Sequence, residues 1–90
     1  MTMNDTLSRR NDVLTADMAG ETVMMDAESG KYYNLGAVGG RIWELLEQDM
    51  TVAALVEALT KEYAVDAETC ERDILPFLDS LAGRGLLSVK

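Results

Sequence analysis

Residues 23–35 read as a β-hairpin running straight into a helix, and this stretch constrains the fold more than any other. Val23-Met24-Met25-Asp26 is a short apolar strand and Ala27-Glu28-Ser29-Gly30 is turn chemistry. Lys31-Tyr32-Tyr33-Asn34-Leu35 is aromatic, β-favouring and alternating. Alternation puts Tyr33 and Leu35 on one face, expected toward the core, and Tyr32 and Asn34 on the other, with Tyr32 as an exposed aromatic platform. In so short a chain the second strand is expected at a sheet edge. An edge offers its unpaired amides and carbonyls to an extended peptide.

The rest of the chain supplies the elements that such a hairpin needs for packing. Residues 1–8 read as a flexible lead-in before a single domain over 9–90. Val13, Leu14 and Met18 suggest a first, weak strand within Arg9–Met18, and Ala19-Gly20-Glu21 a turn, giving a small antiparallel sheet of up to three strands. A helix is expected from about Val38 to Gln48, with Ile42, Leu45 and Leu46 on its core face and Trp43 as an anchor beside them. Gly39-Gly40 weakens its first turn, by about 1 kcal/mol per glycine relative to alanine, which implies close approach to a neighbouring backbone.

Thr51 caps a second helix over Val52–Tyr63, where Val52, Leu55, Val56, Leu59 and Tyr63 keep helical period. Asp66 caps a third, with Val65 and Cys70 at the positions of a hydrophobic staple. Cys70, Ile74, Phe77, Leu78 and Leu81 form its stripe. Pro76 inside that stripe predicts a bend or a division into two helices. Gly83-Arg84-Gly85 ends it, and Leu86, Leu87 and Val89 return to the core as a short extended tail.

Composition narrows the chemistry. Ninety residues, 48% hydrophobic, suit one domain with a modest core. Sixteen acidic against eight basic residues give a formal charge of −8, which repels phosphate backbones and suits a basic or apolar peptide. With no histidine and one cysteine the chain lacks the common zinc sets and Cys-His or Ser-His nucleophile pairs. Cys70 reads as a small buried hydrophobe. A lone cysteine and the absence of any apolar run of membrane-spanning length or signal-like N-terminus place the chain in the cytoplasm, with no membrane partner. Nothing points to a cofactor or a catalytic role.

Strands followed by three amphipathic helices make an α+β, winged helix-turn-helix-like domain. That fold commonly reads DNA through a basic helix. Here the third helix carries Asp66, Glu68, Glu71, Asp73 and Asp79 against Arg72 and Arg84, so no nucleic acid is expected. A transcription regulator, a small enzyme and an acyl carrier are the competing classes. The first lacks a basic stripe, the second a fixed carboxylate pair, and the third a serine at a helix start.

Gly30-Lys31-Tyr32-Tyr33-Asn34-Leu35, then Gly39 and Ile42-Trp43-Glu44-Leu45-Leu46, resemble PqqD-like proteins. Thr51-Val52, Phe77-Leu78, Leu81 and Gly85-Leu86-Leu87 extend the resemblance over about residues 10–88. Gly36 departs from it, standing where members of the family often carry an asparagine-type helix cap. The resemblance implies a recognition element for ribosomally made, post-translationally modified peptides (RiPPs). In that family the fold is a three-stranded sheet followed by three helices. The leader of a precursor peptide adds to the third strand and lies against the third helix. Carried onto this chain, the peptide-binding residues are Met24, Lys31, Tyr32, Tyr33, Asn34 and Leu35 from the hairpin. Asp73, Ile74, Leu75, Phe77 and Leu78 join them from the third helix. The implied partners are the precursor leader and a maturation enzyme. A leader peptidase of a lasso-peptide pathway is favoured, and a radical-SAM enzyme is the alternative.

Overall fold

Two small sheets, rather than one, organise the helices. The computed structural model describes residues 1–26 and 28–90, so the expected turn residue Ala27 lies outside the described residues. Strands β1 (Thr6–Arg9), β2 (Leu14–Met18), β3 (Glu21–Asp26) and β4 (Lys31–Leu35) precede helix α1 (Gly36–Leu45). Then follow β5 (Met50–Thr51), α2 (Val52–Tyr63), α3 (Ala67–Gly83) and β6 (Leu87–Val89). β2, β3 and β4 form an antiparallel meander in that spatial order, with Ala16 opposite Val23 and Val23 opposite Asn34. This is the expected three-stranded sheet, and with the three helices it makes the α+β fold. Ala19 and Gly20 turn the first hairpin with φ of 57° and 84°. Positive φ at both central residues gives the two-residue turn whose twist matches the flanking strands.

The lead-in expectation is corrected at the N-terminus. β1 lies between β5 and β6, with Leu7 opposite both Met50 and Val89, and the Leu7 side chain is fully buried. Thr6 and Lys90 exchange backbone hydrogen bonds of 3.1 and 2.9 Å, which tie the two ends of the chain together. A single apolar residue among polar neighbours gives little periodic signal, so the pairing and not the pattern makes this strand. The same pairing explains one further difference. Met50 and Thr51 must be extended to meet β1, so α1 stops at Leu45 instead of Gln48. Leu86 and Leu87, the latter opening β6, are buried, whereas Val89 at the end of that strand is 41% exposed and does not return to the core.

The caps fall where the sequence put them. The Thr51 hydroxyl accepts from Ala54 N–H at 3.1 Å, and an Asp66 carboxylate oxygen accepts from Thr69 N–H at 3.1 Å. Each satisfies an N-terminal amide that would otherwise lack a partner. α3 is one unbroken helix through Pro76. Proline has no N–H for the Arg72 carbonyl, but both residues are exposed, where solvent competes for such a bond and the loss is small. Trp43, Leu46, Leu55, Leu59, Ile74, Leu78 and Leu81 fill the core between the helices and the inner sheet faces.

α1 sits unusually close to its neighbours, as the glycine pair implied, but the neighbours are side chains. A Cβ at Gly40 would lie 2.6 Å from Thr22 Cβ on β3. A Cβ at Gly39 would lie 3.0 Å from the Phe77 ring of α3 and 3.2 Å from Leu35 Cβ. The glycines therefore seat α1 in the angle between the meander and α3, which brings the end of β4 beside α3.

Candidate functional site

Backbone geometry decides what β4 offers. Met18 and Glu21 flank the two-residue turn and exchange both ladder hydrogen bonds, so Ala16–Val23 and Leu14–Met25 do the same. The even-numbered residues of β3 then turn their amides and carbonyls toward β4. The Asp26 carbonyl follows this rule, accepting from Gly30 N–H at 2.7 Å. Opposite them, Lys31 and Tyr33 spend their ladder groups inward, while Tyr32 and Asn34 aim theirs outward. Among the described residues no strand pairs with that outer margin.

The margin runs beside an apolar cleft. Leu35, Val38, Gly39 and Ile42 form one wall and Asp73, Ile74 and Phe77 of α3 the other, around about 200 Å³. A second cleft of about 320 Å³ continues it through Val38, Asp73 and Ile74 to Leu59, Tyr63, Val65 and Cys70. Val65 and Cys70, the predicted staple pair, thus share one apolar recess. Burial and, secondarily, the nearby Asp73 push the Cys70 thiol above its ordinary 9.0, so it stays protonated and unreactive. At the other end of α3 the Arg84 guanidinium stacks over Tyr33, 4.4 Å from the ring centroid. Asn34 takes Gly36 N–H on its side-chain oxygen at 2.9 Å and reaches Glu21 through its amide at 3.2 Å. Gly36 itself has φ +74°, a conformation open to glycine or asparagine; the α1 N-cap, Leu35, makes no side-chain cap, and Asn34 binds the Gly36 N–H in a local side-chain turn instead.

The predicted site residues separate into three groups. Tyr32, 72% exposed, Lys31 and Asn34 stand on the surface, with Asp73 at the rim of the cleft. Leu35, Ile74 and Phe77 combine core contacts with lining of the cleft, while Tyr33 packs on the core beneath Arg84 and lines neither cleft. Met24 and Leu78 are corrected: both are fully buried, because Met24 alternates inward on the central strand and Leu78 lies on the core line of α3. Leu75 is half-buried against the core and does not line the cleft. Val38, Gly39 and Ile42 of α1 and Arg84 are the residues that sequence reading missed. The glycine pair marked a close approach there without saying that it makes a cleft wall. Arg84 was hidden inside a stop signal.

Among the described residues no group of His, Cys, Asp and Glu could hold a metal ion, and no helix is long and apolar enough to cross a membrane. The family model for Coenzyme PQQ synthesis protein D (PqqD) matches residues 21–87. No curated protein matches the sequence significantly. TbiB1, solved in complex with the TbiA(β) leader peptide, is 40% identical, with 90% of this chain and 94% of that one covered and a TM-score of 0.78. Lasso peptide synthetase B1, complexed with the leader peptide, is 29% identical, with coverage of 91% and 96% and a TM-score of 0.73. The PqqD truncation of Methylobacterium extorquens PqqCD, described as a stand-alone RiPP recognition element, shares the fold at 22% identity. It covers 92% of this chain and 88% of its own, with a TM-score of 0.76.

Proposed function

Because this chain belongs to the PqqD family, we propose that it is a non-catalytic cytoplasmic adaptor for the leader of a ribosomally made precursor peptide. The leader adds as a strand along β4, lies in the cleft against α3, and is presented to a separate maturation enzyme. The observation that carries this reading is the outward-facing backbone of Tyr32 and Asn34 beside an apolar cleft. Main-chain pairing supplies affinity that is largely independent of guest sequence, and pockets for alternate side chains supply selection. Leu35, Ile74 and Phe77 accept an apolar guest side chain, and Asp73 at the rim suits a basic one. One of the two relatives solved with a leader peptide is a lasso peptide synthetase B1, which favours a lasso leader peptidase as the enzyme served over a radical-SAM partner.

Calorimetry against the leader of the precursor encoded beside this chain tests the reading. Micromolar or tighter binding is expected. Tyr32→Pro deletes an outward donor without touching the β3–β4 ladder, so it weakens binding more than Tyr32→Ala does. Absence of heat at tens of micromolar, or equal losses for the two variants, overturns it.

A further inference from the structure

The meander has a second margin, and its chemistry differs from that of β4. All five residues of β2 are exposed, with Leu14 and Met18 each 60% accessible. By the ladder alternation derived above, Ala16 bonds inward to Val23, whereas Thr15 and Asp17 aim their amides and carbonyls outward. Edges of monomeric sheets are normally blunted by charged side chains, above all lysine, by proline or by a bulge. Within Leu14–Met18 there is no lysine or proline, the one charge is Asp17, and the register with β3 runs without interruption.

We propose that β2 is a self-association edge, on which a second copy of this chain pairs antiparallel about a two-fold axis through Ala16. Registers that keep the pleat in phase centre on Thr15, Ala16 or Asp17. Centring on Asp17 sets two carboxylates directly opposite each other, and centring on Thr15 leaves Met18 without a counterpart. Centring on Ala16 places Leu14 of each copy against Met18 of the other on the outer sheet face. On the other face it places Thr15 against Asp17, so a hydroxyl donor meets a carboxylate. The outward backbone groups of these same two residues then close about four ladder hydrogen bonds, and only the small Ala16 lies on the axis. Complementarity of this strand with its own reverse is what selects a second copy as the occupant. β4 remains at both outer ends of the joined sheet, so a dimer keeps two leader margins.

The formal charge of −8 on each copy opposes association, so raised salt strengthens it. Sedimentation equilibrium of the full chain in 0.5 M salt is expected to show a monomer–dimer equilibrium. Thr15→Pro, which removes an outward donor and spares the β2–β3 ladder, is expected to weaken it at least tenfold at unchanged melting temperature. Cysteine trapping reads the register. Residues on the axis in a non-hydrogen-bonded pair have Cα atoms about 4.5 Å apart, within disulfide reach. Ala16→Cys therefore oxidises to a covalent dimer, whereas Thr15→Cys and Asp17→Cys do so poorly. The unsubstituted chain, with Cys70 buried, is the control. A wild-type chain that stays monomeric at millimolar concentration, or trapping stronger at 15 or 17 than at 16, overturns the proposal. Dissociation of the dimer by saturating leader peptide also overturns it, since that places the leader or the contact on the wrong margin. The sedimentation and trapping outcomes do not depend on whether the leader binds β4, so they fail or succeed independently of the proposed function.

Discussion

Gly40→Ala tests whether the seating of α1 rests on contact with β3. The added Cβ would stand 2.6 Å from Thr22 Cβ and closer still to its hydroxyl oxygen. The obstacle is the root of a β-branched side chain on a central strand, so it cannot swing away, and α1 must shift outward. Overpacking of this kind costs about 1–3 kcal/mol, and the immovable neighbour puts Gly40 toward the upper end. Alanine returns about 1 kcal/mol of helix propensity, which leaves a net loss of about 1–2 kcal/mol. For a chain of this length that lowers the melting temperature by about 5–15 °C. Gly39→Ala meets the Phe77 ring at 3.0 Å and Leu35 Cβ at 3.2 Å, contacts that a shift of a few tenths of an ångström relieves, so it is expected to cost less than Gly40→Ala. Urea denaturation of Gly40→Ala, Thr22→Gly and the double variant gives the cycle. The double variant should recover most of the loss, with a coupling of about 1 kcal/mol or more. A neutral or stabilising Gly40→Ala, or strictly additive losses, refutes the argument.

Leu7→Ala is expected to destabilise the chain by about 2–5 kcal/mol in chemical denaturation, the range for a fully buried leucine; a change below 0.5 would return residues 1–8 to a loose lead-in. Acid sensitivity follows from Glu62 and Asp66. The Arg41 guanidinium, bound to both Glu62 oxygens at 2.7 and 2.9 Å, holds that carboxyl below its ordinary 4.5, and Thr69 holds Asp66 below 3.8. A depressed folded value stabilises fully above the unfolded one and is lost as pH falls through the folded one. The melting temperature is therefore flat from about pH 8 to pH 5 and falls below about pH 4, with a shallower fall in Arg41→Ala. An unchanged acid limb in that variant counts against the Glu62 contribution.

How much was legible depended on whether a feature was local. Thr51 and Asp66 announced their helices because capping needs only neighbours, and Val52–Tyr63 kept its period without help. The meander could be read because Ala19-Gly20 and the aromatic run at 31–35 carry their own turn and strand chemistry. β1 and β5 were invisible, since four and two residues become strands only by pairing across the chain, and β6 showed only as an extended apolar tail without a partner. The site divided along the same line. Tyr32 and Asn34 followed from alternation, but Met24 and Leu78 needed the packing to show that they face inward. Val38 and Ile42 became cleft walls only when the glycines let α1 close on Phe77.

Amide hydrogen exchange of the leader complex, resolved residue by residue by NMR at protein concentrations too low for self-association, addresses the central claim most directly. Strand addition to β4 predicts that Tyr32 and Asn34 amides slow by about tenfold or more on adding leader, while Thr15 and Asp17 do not change. A leader that binds and leaves the Tyr32 and Asn34 amides exchanging as before contradicts the account.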